Sequence, residues 1–156
     1  MRHILIITLI LTTSLLSTEL KIKADSFSAD QAKGISIFTG HVNIIKSKDE
    51  LNASKVTIYT DAKNKPTKFI ALGNVSFKIE TKDKSIYMGS ANKVIYKPLK
   101  KEYYFYEKVV LKQLNEKKEI EGDEVILNTN SGKAYAKGLD EKPVIMIFNI
   151  PEEEKE

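Results

Sequence analysis

The chain has 156 residues, with 25 Lys plus Arg against 21 Asp plus Glu, two His, no Cys and no Trp. That length suits one domain with its own core, and the missing Cys excludes thiol catalysis, disulfides, zinc–cysteine sites and iron–sulfur ligation. His3 and His41 alone leave little for a histidine metal site or a catalytic triad, and 42% hydrophobic with 29% charged residues is neither a disordered chain nor a multi-span membrane protein.

The formal charge of +4 is unevenly spread. Residues 1–17 hold one charge, Arg2, which is the only Arg. Residues 152–156 hold four Glu and one Lys, so the body between carries 23 Lys against 17 acids, a net +6. Basic charge carried by Lys alone favours diffuse attraction to anions over bidentate reading of bases or phosphates, where Arg is preferred. Nucleic acid is therefore not the expected partner.

Met1-Arg2-His3 forms a short basic start, and Ile4 to Leu16 follow without a charge. An uncharged run of this length is too short for a spanning helix and fits the apolar core of an export signal. Residues 1–17 are thus expected to be a signal peptide. Leu15 and Leu16 lie where a small residue is preferred before a cut at Ser17 or Thr18, which leaves an uncleaved anchor open. Both versions place the body outside the cytoplasm, and a Cys-free exported chain fits the periplasm of a Gram-negative bacterium.

After Leu20, period-two alternation takes over. It runs through Val42-x-Ile44, Val56-x-Ile58, Val75-x-Phe77-x-Ile79, Val94-x-Tyr96, Val109-x-Leu111 and Val125-x-Leu127, separated mostly by Asn, Ser, Thr and Lys. Strands with one dry and one wet face read this way, so the body is all-β. Turn signals fall at Asn64-Lys65-Pro66, Lys82-Asp83-Lys84, Asn115 to Lys118 and Asn130-Ser131-Gly132.

Two motifs alternate along this pattern. One reads Phe38-Thr39-Gly40-His41-Val42, Ala71-Leu72-Gly73-Asn74-Val75 and Phe105-Tyr106-Glu107-Lys108-Val109, with the valines 33 and then 34 residues apart. Ala136-Lys137-Gly138 is a truncated fourth copy. The other reads Ala24-Asp25-Ser26-Phe27, Ala53-Ser54-Lys55-Val56, Ala91-Asn92-Lys93-Val94 and Gly122-Asp123-Glu124-Val125. Ala53 and Val56 differ in parity, so both face inward only if the strand bulges between them. Corners repeated at a ~30-residue period curl a sheet.

At these residues the sequence resembles the LptA/OstA family of periplasmic lipopolysaccharide-transport proteins. Phe38 to Val42 resembles that family's FTGNV signature, and Leu51-Asn52-Ala53-Ser54-Lys55-Val56 resembles its I-x-A-D-K-V strand, with Ser54 in place of Asp. Ala71 to Val75 and Ile120 to Val125 repeat both themes. Glu107 departs from the Gly that the repeat predicts. The resemblance covers roughly residues 20–148 and implies a β-jelly roll of stacked, curled strands, here a single domain over 18–150 followed by an acidic tail at 151–156.

The resemblance also implies lipopolysaccharide as ligand, its lipid A acyl chains shielded in a hydrophobic groove. It implies head-to-tail self-association, and partnership with LptC-like inner-membrane and LptD-like outer-membrane proteins, making a bridge across the periplasm. The groove set expected from the alternation is Phe38, Val42, Ile44, Val56, Ile58, Phe69, Val75, Phe77, Ile79, Val94, Tyr96, Phe105, Val109, Leu111, Val125 and Leu127. Lys46, Lys48, Lys78, Lys82 and Lys84 are candidates to meet phosphate. The apolar run 144–148 reads as a last strand or a partner-docking strand. Two alternatives remain: a membrane-anchored LptC-like component, and a closed structural β-solenoid. Catalysis is not expected, because Asp25, Asp30, Asp123 and Glu124 sit at corner positions without His, Cys or Arg to partner them. No cofactor or metal is expected.

Overall fold

The computed structural model describes residues 18–152. The signal reading at 1–17 and the end of the acidic tail lie outside the described residues. Ten strands form one antiparallel sheet: β1 (Leu20–Lys23), β2 (Ser26–Asp30), β3 (Ile35–Lys46), β4 (Asp49–Thr60), β5 (Pro66–Glu80), β6 (Ile86–Lys97), β7 (Glu102–Gln113), β8 (Lys118–Asn128), β9 (Ala134–Lys137) and β10 (Ile145–Phe148). β3 to β8 follow one another as hairpins. The two end positions are each filled by an interrupted strand: β1 and β2 share β3, and β9 and β10 share β8.

The interruptions and the register shifts form one line. Gly40-His41, Gly73-Asn74 and Glu107-Lys108 all have positive φ, at 82° and 46°, 83° and 45°, and 64° and 53°. Each pair faces a single residue on the neighbouring strand, since Thr39 pairs Lys55 while Val42 pairs Ala53. The same offset brings Asn92 opposite Gly73-Asn74 and Asp123 opposite Glu107-Lys108. Two residues against one bend a strand and increase its twist. Three such bends in register divide the sheet into two limbs. The first contains residues 26–39, 55–72, 93–106 and 124–137; the second contains residues 20–23, 42–53, 75–91, 109–122 and 145–148.

The two sequence motifs are therefore two sides of one corner. The Ala-[Asp/Ser/Asn] motif supplies the single residue, and the Gly-x-Val motif supplies the bulge that faces it. At the first corner the Asp25 N–H donates to the Gly40 carbonyl at 2.9 Å; at the next, the Ser54 hydroxyl donates to the Gly73 carbonyl at 3.2 Å. A Cβ on Gly40 would lie 2.3 Å from Asp25 Oδ2, and one on Gly73 would lie 2.7 Å from Ser54 Oγ. Glycine at these two positions thus answers both the positive φ and the approach of the capping side chain.

The limbs close on each other over one core. Phe105, Val125, Leu127 and Val75 are fully buried, and Val42, Val56, Ile79, Val94, Val109 and Leu111 nearly so. Phe77 on the second limb meets Phe105 on the first with ring centroids 4.4 Å apart. At one point the free lips join through backbone: Lys82 N–H donates to the Thr129 carbonyl at 2.8 Å, while Thr129 N–H extends the β7–β8 ladder to the Lys101 carbonyl at 2.8 Å.

Candidate functional site

The interior is packed in the middle and opens at both ends. Alternation sends all sixteen expected groove residues inward: thirteen belong to the buried core, and Phe38, Phe69 and Tyr96 pack half-buried against it. They do not form one continuous channel. Ile44, Val56, Phe69, Ile79, Val94 and Tyr96 line a cleft of about 290 Å³ at the β1 end. Phe38, Val42, Ile58, Val75, Phe77, Phe105, Val109, Leu111, Val125 and Leu127 lie outside that cleft. Of these, Leu111 alone reaches a smaller cavity of about 200 Å³ at the β10 end, beside Tyr87, Ile120 and Met146.

The β1-end cleft has an aromatic floor. Phe69 and Tyr96 centroids are 5.9 Å apart, Tyr96 and Tyr103 stack at 4.3 Å, and Tyr103 and Phe105 follow at 5.9 Å. With the Phe77–Phe105 contact, this makes a run of five rings from the mouth to the centre. Pro66 and Pro98 form the first-limb lip, and Leu20, Lys46, Asp49 and Glu50 the opposite one. Lys46 reaches across the mouth, its Nζ 5.8 Å from the Tyr96 centroid. Burial raises the Asp49 carboxyl above its ordinary range, partly offset by the Glu80 N–H donating to it at 2.9 Å. Burial likewise raises the Tyr96 phenol, and raises that of Tyr103 further. Both rings are neutral near pH 7, so the cleft is apolar apart from its rim.

Tyr103, Leu51 and Ala71 line the cleft but were not in the expected set. Tyr103 sits in the run Tyr103-Tyr104-Phe105-Tyr106, where no polar residue marks the wet face. Only the parity of Phe105 relative to Tyr103 could have assigned it inward.

The lysines proposed for phosphate disperse. Lys46 stands at the cleft mouth, Lys48 and Lys84 pair with Glu80 at 3.6 and 3.2 Å, and Lys78 faces Glu50 in the β4–β5 register. The four corner carboxylates do not converge, although one has the His partner that the sequence reading denied it, because the β2–β3 pairing brings residues 25 and 41 together: Asp25 binds His41 at 2.8 Å, both exposed, while Asp30 pairs with Lys33, and Asp123 and Glu124 lie on β8. Among the described residues no group of three or more His, Cys, Asp or Glu could hold a metal ion.

The model of a family described as LptA/(LptD N-terminal domain) LPS transport protein matches residues 21–133. The comparison with curated proteins returns no match. Among solved structures, the crystal structure of LptH, the LptA-homologous periplasmic component of the lipopolysaccharide transport device of Pseudomonas aeruginosa, superposes with a TM-score of 0.74. It is 16% identical, and the match covers 85% of this chain and 96% of that one, a likeness of fold.

Proposed function

The chain belongs to the LptA/(LptD N-terminal domain) family of lipopolysaccharide-transport proteins, and from that premise we propose that it carries the acyl part of lipopolysaccharide between its two limbs. The observation that carries this reading is the aromatic cleft at the β1 end, apolar inside and lipped by Lys46, Asp49 and Glu50. At roughly 30 Å³ per methylene-sized unit, 290 Å³ takes about ten such units, part of one acyl chain. Burying ten methylenes is worth up to ~8 kcal/mol before the chain's ordering cost is subtracted. A molecule with several acyl chains needs the limbs to part, and the closed core from Val75 to Leu127 is where they would part.

Transport needs no bond to be made or broken, and an exported chain without Cys suits a periplasmic carrier. The end strands give the bridge its physical means. β2 and β10 are exposed at every residue, and an open edge with unpaired N–H and C=O groups templates addition of another strand. A second copy joined head to tail, or a like-folded inner- or outer-membrane partner, would continue the sheet there.

The test is retention of lipopolysaccharide by Phe69→Asp beside Ile45→Asp, a control on the outer face of the second limb. Phe69→Asp is expected to lower retention at least tenfold, since a carboxylate in an apolar site costs well over 1.4 kcal/mol. Equal retention by the two variants, both folded by circular dichroism, would refute the cleft as the acyl site.

A further inference from the structure

The outward faces of the two limbs differ in a way that the interior does not require. On the first limb the register carries one row straight across the sheet: Ile37, Thr57, Ile70, Ile95, Tyr104 and Ile126, each opposite the next, with Tyr135 on β9 at its end. These alternate with the buried positions and point away from the core. The matching row on the second limb reads Asn43, Asn52, Ser76, Ser90, Val110 and Glu121. The middle row is thus mostly polar on the second limb, where Ile45, Met88 and Ile145 stand singly among polar neighbours, and continuously apolar but for Thr57 on the first. Solvent alone explains the polar row and not the apolar one.

Charge flanks the stripe. Lys55, Lys93 and Lys137 lie in the row on its corner side, and Lys68 and Lys97 in the row on its lip side, against Glu102 and Glu124. The lysines lie along the aromatic rings: Lys97 Nζ is 4.6 Å from the Tyr104 centroid, Lys68 Nζ 4.5 Å from Tyr59 and Lys93 Nζ 5.7 Å from Tyr106. Isoleucine in the centre, tyrosine beside it and lysine stems reaching outward match the layering of a membrane interface. Protein interfaces are depleted in Lys and take Arg instead, whereas the only Arg in this chain is Arg2.

We propose that the outward face of the first limb docks on the surface of an anionic lipid bilayer. Neighbouring strands rotate by about 20°, so a flat surface meets the central strands rather than the whole stripe. Thr57, Ile70, Ile95 and Tyr104, on the consecutive central strands β4 to β7, span about 14 Å at ~4.8 Å per strand. This surface lies on the opposite face of the sheet from the cleft, and the proposal does not depend on what the cleft binds.

Because the chain has no Cys, a single environment-sensitive dye can be placed at will. Full-length Thr57→Cys and Ser76→Cys proteins, labelled on the stripe and on the polar row, would be mixed with phosphatidylglycerol–phosphatidylethanolamine vesicles or with phosphatidylcholine vesicles. The dye at 57 is expected to shift to the blue with the anionic vesicles only, and the dye at 76 with neither. Adding Lys93→Gln and Lys97→Gln should weaken the response of the 57 label about tenfold, since each basic residue near an anionic surface contributes on the order of a fewfold in affinity. An equal shift at both positions, or no shift at 57, would overturn the proposal. So would a shift at 57 that rises with protein concentration in the absence of lipid, which would assign the stripe to a second copy of the chain.

Discussion

Replacing Glu107 with glycine should make the protein more stable. Glu107 has φ 64°, in the left-handed region, where its homologues along the chain, Gly40 and Gly73, carry no Cβ. An L-residue there costs about 1–2 kcal/mol through Cβ and carbonyl crowding. Glycine removes that strain but has ~0.5–1 kcal/mol more backbone entropy to lose on folding. The expected net gain is about 0.5–1 kcal/mol, which for a chain of this size raises Tm by roughly 1–4 °C. Thermal unfolding followed by circular dichroism reads it. Glu107→Ala removes the same charge and keeps the Cβ, so it should leave Tm nearly unchanged. If alanine stabilises as much as glycine, the gain comes from the charge and the backbone reasoning fails. The reverse substitution, Gly73→Ala, adds strain of similar size and sets a Cβ 2.7 Å from Ser54 Oγ, so it should cost about 2–4 kcal/mol.

Two further outcomes are expected. The Asp25 hydrogen bond, and then its charge, raise the His41 pKa above 6.5. The folded-state value is the higher one, so the pair's contribution to stability is fully present below pH 6.5 and fades as pH rises through the raised pKa. An NMR titration should find the His41 midpoint above 6.5, and Asp25→Asn should return it toward that value; a midpoint unmoved by Asp25→Asn would refute the pairing. Deleting residues 139–156 removes β10, exposed at all four residues, and should weaken self-association while leaving the β circular-dichroism spectrum largely intact; an unchanged association constant would refute a docking role for this edge.

The strands and their inward faces were readable where a burial-defining pair is separated by a polar residue, as in Val42-Asn43-Ile44 and Val75-Ser76-Phe77, and less directly where the residue between is apolar, as in Val94-Ile95-Tyr96 and Val125-Ile126-Leu127. The parity conflict between Ala53 and Val56 was readable too. Both are buried, at 7% and 1% exposure, across the register shift that it requires. What did not follow from sequence is that the two motifs meet. Asp25 and Gly40, or Ser54 and Gly73, are apart in the chain and adjacent only once the hairpins pair. Nor could period two tell a packed interior from an open one. Phe105 and Phe69 have the same signature, yet Phe105 is sealed by Phe77 while Phe69 stands at a mouth, and that depends on which limb residues oppose each other. The outer stripe was hidden for a related reason: Ile37, Ile70, Ile95 and Ile126 are far apart in sequence and single in each strand, and only the register lines them up.

The corner also sets how the ends let go. Because β1 and β2, and likewise β9 and β10, are separate pieces of four or five residues on different limbs, each end is held by two short ladders instead of one long one. A four-residue ladder can open without disturbing its mate across the bend, and local opening of this kind has a free energy far below that of global unfolding. The middle strands, each 11 to 15 residues long and continuous through the bend, have no such half-step. Amide exchange should therefore be slowest around β5 and β6 and quicken toward both ends in limb-sized increments, so that the edge groups most available for joining a neighbour are also the ones that come free most readily.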